Sequence, residues 1–473
     1  MNRALILIKV LIISIFLFSC TSGQHEQVPN IILIMADDLG WGDTGFNGND
    51  IIHTPSLDEL AYQGIIFRRF YSAAPVCSPT RASCLTGRHP YRMGIHGANT
   101  GHIKRPELTL AELLKSKGYT TGHFGKWHLG TLTNTVLDAN RGGRGDTSIY
   151  SPPWENGFDV CFSTESKVPT WDPMITPGPE AGDIGNRIPG SDFGTYYWTG
   201  EGEIVTDNLK GDDSRIIMDR VLPFIEGAIN KNDPFFAVIW FHTPHLPVLA
   251  GPEYRSLYND HQPDIQHYYG SISAMDQQVG RLVGLLKENK QYNNTAFFFC
   301  SDNGPEGKER KGRTQGETNG LRGRKRSLYE GGIRVPGFIT WPEGIKEPAI
   351  SKIPVSTSDY FPTIMKITGI KPDKPVEPVD GMDILNLVNS SARQRNADIG
   401  FISGKQRALV GNRYKLYSGD SGSTYELYDL ITDPFEKNNI IYDNDHVAVE
   451  MKGSLEKWIK SCYESNKGRD YRF

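Results

Sequence analysis

Stretches of uninterrupted apolar residues alternate along the chain with stretches in which apolar positions recur at helical spacing. Asn30–Ala36 (NIILIMA) is apolar almost throughout, the pattern of a strand buried on both faces. The runs Tyr119–Phe124, Pro234–Trp240 and Thr295–Cys300 predict three more strands. Between them, Thr54-Pro55 opens a helix that Gly64 stops. The capping box Thr109-Leu110-Ala111-Glu112 starts another, which Gly118 closes. Asp213–Ile229 and Ile265–Asn289 predict two long helices, the second with Ile272, Met275, Val279, Leu282 and Leu286 along one face. Buried strands alternating with amphipathic helices predict an α/β fold with a mostly parallel sheet.

The pattern changes at both ends and once in the middle. Arg3 and Lys9 bracket the entry to an apolar run, Leu11–Phe18, that is too short to span a bilayer and fits a secretory signal over residues 1–19. Leu17-Phe18-Ser19-Cys20 is similar to a bacterial lipobox. Cys20 is therefore expected to carry lipid, and the chain to be exported to the periplasm or cell surface with no other hold on a membrane. Residues 28–350 then form the α/β domain. Residues 351–473 form a smaller C-terminal subdomain, with strand-like pieces at Ala408–Val410, Tyr414–Tyr417 and Tyr425–Leu430 and a helix over about His446–Cys462. Residues 130–212 lack periodicity and read as an elaborated loop region over the site.

Composition narrows the class. With 11% aromatic residues, 50 Gly and 29 Pro in 473 residues, the chain suits a loop-rich globular enzyme. A formal charge of −4 argues against a nucleic-acid partner. Of the six cysteines, Cys84, Cys161, Cys300 and Cys462 are scattered without metal-type spacing; Cys300, at the end of an apolar strand, reads as a small buried thiol, and no essential disulfide is expected.

Chemistry gathers where strands end. Asp37-Asp38, Lys126, His242–His245 and Asp302-Asn303 each follow a predicted strand, and ligands of open α/β sheets bind outside the carboxyl ends of their strands. Asp37, Asp38, Asp302 and Asn303 offer only oxygen, the preference of a hard cation, Ca²⁺ or Mg²⁺, rather than Zn²⁺.

The segment Cys77–Arg88 reads C-x-P-T-R-x-x-x-L-T-G-R and closely resembles the signature of the formylglycine-dependent sulfatases. Gly125-Lys126-Trp127-His128-Leu129-Gly130, Tyr329–Pro336 (YEGGIRVP) and Tyr425–Leu430 with Asp433-Pro434 resemble further blocks of that family, in the family's order. The resemblance implies the alkaline-phosphatase-like fold: a large mixed, mostly parallel central sheet flanked by helices, with a C-terminal antiparallel sheet and helix. It implies that a maturation enzyme oxidises Cys77 to Cα-formylglycine (3-oxoalanine). It also implies that Asp37, Asp38, Asp302, Asn303 and an oxygen of the modified Cys77 hold one divalent ion, usually Ca²⁺.

Arg81, Lys126, His128, His245 and Lys325 match the family's cationic set, with His242 competing with His245 for its place. The resemblance gives the hydrated aldehyde as nucleophile, with Arg81 lowering the pKa of its attacking hydroxyl. His245 and Lys325 protonate or stabilise the departing alcohol, and His128 takes the proton whose loss expels sulfate. Pro79 and Thr80 place Cys77 near a helix N-terminus, which favours developing negative charge. His96 and His123 read as structural.

Export favours a sulfated glycan or oligosaccharide as substrate. The basic stretch Lys308–Arg326 suits an anionic sugar, while Trp154, Trp171, Tyr196, Tyr197 and Trp198 either stack on sugar rings or pack the inserted loops. Two other functions fit the same outline, a phosphate or phosphonate ester hydrolase on this fold and an inactive lipoprotein that binds sulfated glycans.

Overall fold

The structure is a computed structural model that describes residues 28–471, apart from 144, 146–147, 374–377 and 390–393. The expected signal segment and Cys20 lie outside the described residues.

β1 (Asn30–Ala36) buries all seven of its residues and forms the centre of a ten-stranded sheet. β8 (Phe235–Trp240), β4 (Thr120–Lys126) and β5 (Val160–Thr164) follow on one side and β9 (Thr295–Ser301) on the other, these five running parallel. Antiparallel β6 (Tyr197–Gly200) and β7 (Glu203–Ile204) extend the sheet past β5. On the other edge antiparallel β11 (Gly337–Thr340) is followed by β2 (Ile65–Phe67) and β12 (Ala349–Ser351). The sheet is thus mixed and mostly parallel.

Period-two alternation divides β1 between two cores. Ile31, Leu33 and Met35 face the layer that contains the Cys77–Thr86, Leu110–Lys115 and Tyr360–Thr368 helices. Ile32, Ile34 and Ala36 face the Pro55–Tyr62, Asp213–Lys231 and Pro263–Glu288 helices. All five named apolar residues on the long helix's inner face are buried. The Thr109 capping box forms through both of its bonds.

Register matters more than layering for the site. Met35 pairs with Trp240 and with Cys300, and Gly125 pairs with Trp240. The carboxyl ends of β1, β4, β8 and β9 therefore lie level, and the residues that follow them emerge side by side.

A small sheet of β10 (Arg334–Val335), β3 (Phe70–Tyr71) and β13 (Val355–Ser356) lies beside the large one. The C-terminal sheet is an antiparallel meander of β14 (Ile399–Ser403), β15 (Gln406–Val410), β16 (Tyr414–Ser418) and β17 (Glu426–Asp429). One face packs on the Asp445–Asn466 helix through Leu409, Leu416, Leu427 and Leu455. The other packs on Tyr71, Leu328 and Ile333. Buried charge crosses this second contact, where Lys415 lies 3.0 Å from Glu330 and 2.9 Å from Glu436, all three inaccessible to solvent or nearly so.

The expectation of loops throughout 130–212 needs correction. β5, β6 and β7 lie in this segment and belong to the main sheet. Tyr197 and Trp198 are packed inside, with Trp198 donating its indole N–H to Asp138, so neither is available to a sugar. Among the described residues Cys77, Cys84, Cys161, Cys300 and Cys462 are all buried free thiols.

Candidate active site

Two turns carry the acids. Asp37 and Asp38 continue from β1, and Asp302 and Asn303 from β9, all four buried. Asp38 takes φ +65°, in the left-handed region. The turns are tied together, since Asp38 N–H donates to Asp302 Oδ1 at 3.2 Å and Asn303 Nδ2 donates to Asp38 Oδ1 at 2.7 Å. Cys77 is the first residue of the helix Cys77–Thr86 and is 2% exposed. Arg81 lies one turn on and is wholly buried.

Each acid has a cation. Lys126, the last residue of β4, donates to Asp37 Oδ2 at 2.6 Å. Arg81 donates to Asp302 Oδ2 through Nε and Nη2 at 3.1 and 2.6 Å and to the Lys126 carbonyl at 3.0 Å. Its guanidinium lies over the Trp240 ring. Lys325 donates to both oxygens of Asp38. His245 Nε2 lies 3.7 Å from Asp38 Oδ2, while its Nδ1 is 2.6 Å from the Leu246 carbonyl, which fixes the proton on Nδ1 in the neutral ring.

Two oxygens stand apart. Asp37 Oδ1 and Asn303 Oδ1 are buried with no hydrogen-bond partner among the described residues, a costly state unless something else binds them. Ligand atoms of Asp37, Asp38, Cys77 and His245 all lie within 4.8 Å of one another. The two carboxylates of this cluster and the orphaned oxygens offer the ligands a hard divalent cation prefers, while Asp302 lies outside the cluster.

The electrostatics follow from dense opposite charge in a dry site. Burial disfavours the Asp37 carboxylate, yet Lys126 first, with Arg81 and Lys325, holds it well below the usual range. Burial and the neighbouring Asp37 push Asp302 up to about 7. The Lys325 ammonium is disfavoured by burial but held above its ordinary value, by Asp38 first. Burial pushes the unmodified Cys77 thiol up to about 11, against the pull of Lys126 and Lys325. As a thiol it stays protonated at neutral pH and makes a poor nucleophile. Burial, with Lys126 and Lys325 respectively, drives His128 and His245 well below the ordinary imidazole value, so both are neutral.

His128 sits in the left-handed region at φ +58°, with Lys126, Arg81 and Asp37 near enough for their charges to act on its ring. His242 is engaged elsewhere, its Nδ1 2.8 Å from Asp213 Oδ2 and its Nε2 2.8 Å from Thr164 Oγ1. His123 is enclosed by Trp127, Phe158 and Trp240, with Nδ1 on Ser163. His96 lies against the Tyr91 ring.

Several supporting groups have no sequence signal. Glu306 faces Lys325 at 4.0 Å and pairs with Arg326. Glu165 is inaccessible, pairs with Arg141 and accepts the backbone N–H of Asn140. Asn99 meets His128. All come from loops, where spacing carries no period. The basic stretch is only partly a charged surface: Arg313 is buried against Asp264, and Arg324 donates to backbone carbonyls. Lys308 and Arg310 remain exposed.

Residues 29–370 match the family model described as Sulfatase, and residues 322–462 that described as N-sulphoglucosamine sulphohydrolase, C-terminal. The N-acetylgalactosamine-6-sulfatase of Sus scrofa is 34% identical over 372 residues, 73% of this chain and 63% of the relative, so the match spans less than two thirds of that protein's length. The steryl-sulfatase of Rattus norvegicus is 31% identical over 414 residues, covering 76% of this chain and 70% of its own. The crystal structure of Ps i-CgsB superimposes with a TM-score of 0.76 at 28% identity, covering 94% of this chain and 97% of that one, and that protein is also seen with k-i-k-neocarrahexaose. The fold, the signature at the helix start and the family match over 29–370 agree, and the chain belongs to the sulfatase family.

Proposed function

We propose that this chain is a sulfuric ester hydrolase that removes sulfate from a sulfated carbohydrate, using a nucleophile made from Cys77 and one divalent cation. The carrying observation is the convergence of Cys77, at a helix start, with Lys126, Lys325, Arg81 and two neutral histidines beside two unpartnered buried oxygens. The name of the N-acetylgalactosamine-6-sulfatase relative and the oligosaccharide complex of the structural neighbour support a carbohydrate over a sterol.

Asp37, Asp38, Asp302 and Asn303 would hold the cation, which when bound acts as a Lewis acid toward a sulfate oxygen. Conversion of Cys77 to formylglycine would supply a hydrate with two hydroxyls, one to attack sulfur and one whose deprotonation releases sulfate. Arg81, Lys126 and Lys325 surround the position with fixed positive charge and need no reorganisation as negative charge develops. The first turn of the Cys77–Thr86 helix adds its backbone N–H groups. Lys325, which carries a proton in the resting site, protonates or stabilises the departing alcohol; His245 stands beside it, and as a neutral ring with its proton on Nδ1 it would donate there only after Nε2 has taken up a proton. His128, neutral, receives the proton of the second hydroxyl. Burial excludes water that would weaken each of these contacts.

The same reading takes Cys20 as a lipidation site and the enzyme as exported. Mass spectrometry of the Cys77 peptide from natively produced protein, paired with sulfate release from sulfated glycans, tests the proposal. An aldehyde in place of the thiol with sulfate released is the expected result. An unmodified thiol in folded protein that still hydrolyses nothing would overturn it.

A further inference from the structure

His128 carries its proton on one of two ring nitrogens, and its neighbours decide which. Nε2 lies 2.6 Å from Asn99 Oδ1. Nδ1 is buried and has no hydrogen-bond partner among the described residues. Lys126, Arg141 and Arg81 are the cations that bear on the ring, and Asp37 is the one carboxylate among its main influences. A buried Nδ1 that meets no acceptor among the described residues, on a ring influenced mainly by cations, suits a lone pair. An N–H there would be repelled and left unsatisfied.

The polarity of Asn99 is set from behind. Its Oδ1 also accepts from Asn140 Nδ2 at 3.1 Å, and Asn140 Nδ2 donates its other hydrogen to Ser166 Oγ at 2.8 Å. The Asn140 backbone N–H in turn donates to Glu165 Oε2 at 3.1 Å, and the His128 N–H to the Glu165 carbonyl at 3.0 Å. Glu165 thereby anchors both the histidine and the amide pair that orients it. Asn99 itself is exposed and takes φ +64°, a conformation asparagine tolerates better than most residues.

We propose that Asn99 is a positioning residue that holds His128 as the Nε2–H tautomer, presenting the Nδ1 lone pair to the reacting centre. The inference rests on the reading of His128 as the base of the second half-reaction. It adds which nitrogen does the work and what keeps it so. The proton taken from the hydroxyl goes to Nδ1, the ring becomes a cation, and the Nε2–H to Asn99 shortens its way to a charge-assisted bond.

The test is ¹⁵N NMR of the imidazole nitrogens in histidine-labelled full-length protein, with His128 assigned by its loss in His128→Gln. It is read on resting protein, whether or not Cys77 has been converted. The expected spectrum shows Nδ1 unprotonated and Nε2 protonated in the wild type and in Asn99→Asp, which keeps an acceptor. Asn99→Ala should show mixed tautomers, without loss of fold because the residue is exposed. In converted enzyme Asn99→Ala should lower kcat by roughly 10- to 100-fold with little change in KM, the usual cost of removing a bond that orients a functional histidine. Asn99→Asp should recover most of it. An Nδ1–H tautomer in the wild type, or an Asn99→Ala protein with the wild-type spectrum and turnover, would overturn the proposal. A wild-type protein with the expected tautomer that releases no sulfate would instead count against the sulfatase reading alone.

Discussion

Lys325 grips Asp38 through both carboxylate oxygens, at 2.6 and 2.7 Å, with both side chains almost wholly buried. The pair joins the turn after the central strand to a loop nearly three hundred residues later in the chain. A buried carboxylate that loses such a partner is left without a counter-charge.

Lys325→Ala is therefore expected to cost about 3–5 kcal/mol in metal-free protein. Excess Ca²⁺ should restore part of it, because a divalent ion replaces the missing charge and stabilises by mass action. Urea denaturation with and without chelator checks this. Equal loss in both conditions would separate Lys325 from the cation site.

Cation removal is expected to be felt in the wild type as well. Asp37 Oδ1 and Asn303 Oδ1 have no hydrogen-bond partner among the described residues. Chelation should lower the melting temperature and abolish sulfate release, with both restored by Ca²⁺ or Mg²⁺. Thermal melts and a sulfate assay on the same sample read this out.

Cys77→Ala should abolish turnover and leave the fold intact. Cys84 is buried seven residues on in the same helix, and burial raises its thiol pKa well above the ordinary value. Cys84→Ala should cost about 1 kcal/mol of packing and keep activity. Comparable loss of activity in both variants would undo the assignment of Cys77.

Acid stability has an identifiable contributor in His89. Burial lowers its pKa from 6.5 to about 3, so it folds neutral. Between those values the unfolded chain binds a proton that the folded one refuses. Stability from this group is complete above 6.5 and is lost as pH falls toward 3, at up to about 1.4 kcal/mol per pH unit. His89→Asn should flatten that limb of the melting-temperature profile. An unchanged slope would place the acid sensitivity in other groups.

Lys415→Met leaves Glu330 and Glu436 buried against each other, at a cost of about 3–5 kcal/mol. The damage should appear first as protease sensitivity of the C-terminal sheet, since Lys415 lies on β16. Limited proteolysis followed by peptide mapping tests this.

Much of the fold was legible because its strongest signals are local. β1, β8 and β9 are apolar runs long enough to need burial on both faces, and the Pro263–Glu288 helix shows its inner face directly. β2, β11 and β12 are three or four residues long and acquire strand character only from their neighbours. β5 to β7 were hidden among glycines and prolines whose turns break any period.

The candidate site divides in the same way. Asp37, Asp38, Cys77, Arg81, Lys126 and Asp302 lie at strand ends or in a helix, where order along the chain forecasts position. Asn99, Asn140 and Glu165 meet only through loop conformation, and Asn99 depends on a positive φ that no spacing announces.

Cys77 lies in a helix, at the floor of a site closed by paired charges, with almost none of its surface in contact with solvent. Burial to this degree keeps the side chain from the catalytic centre of another protein. Any enzyme that alters this side chain must meet it while the segment Cys77–Arg88 is still extended. If the proposed conversion of Cys77 takes place, it competes in time with folding, and a molecule that folds first keeps its thiol for as long as it stays folded.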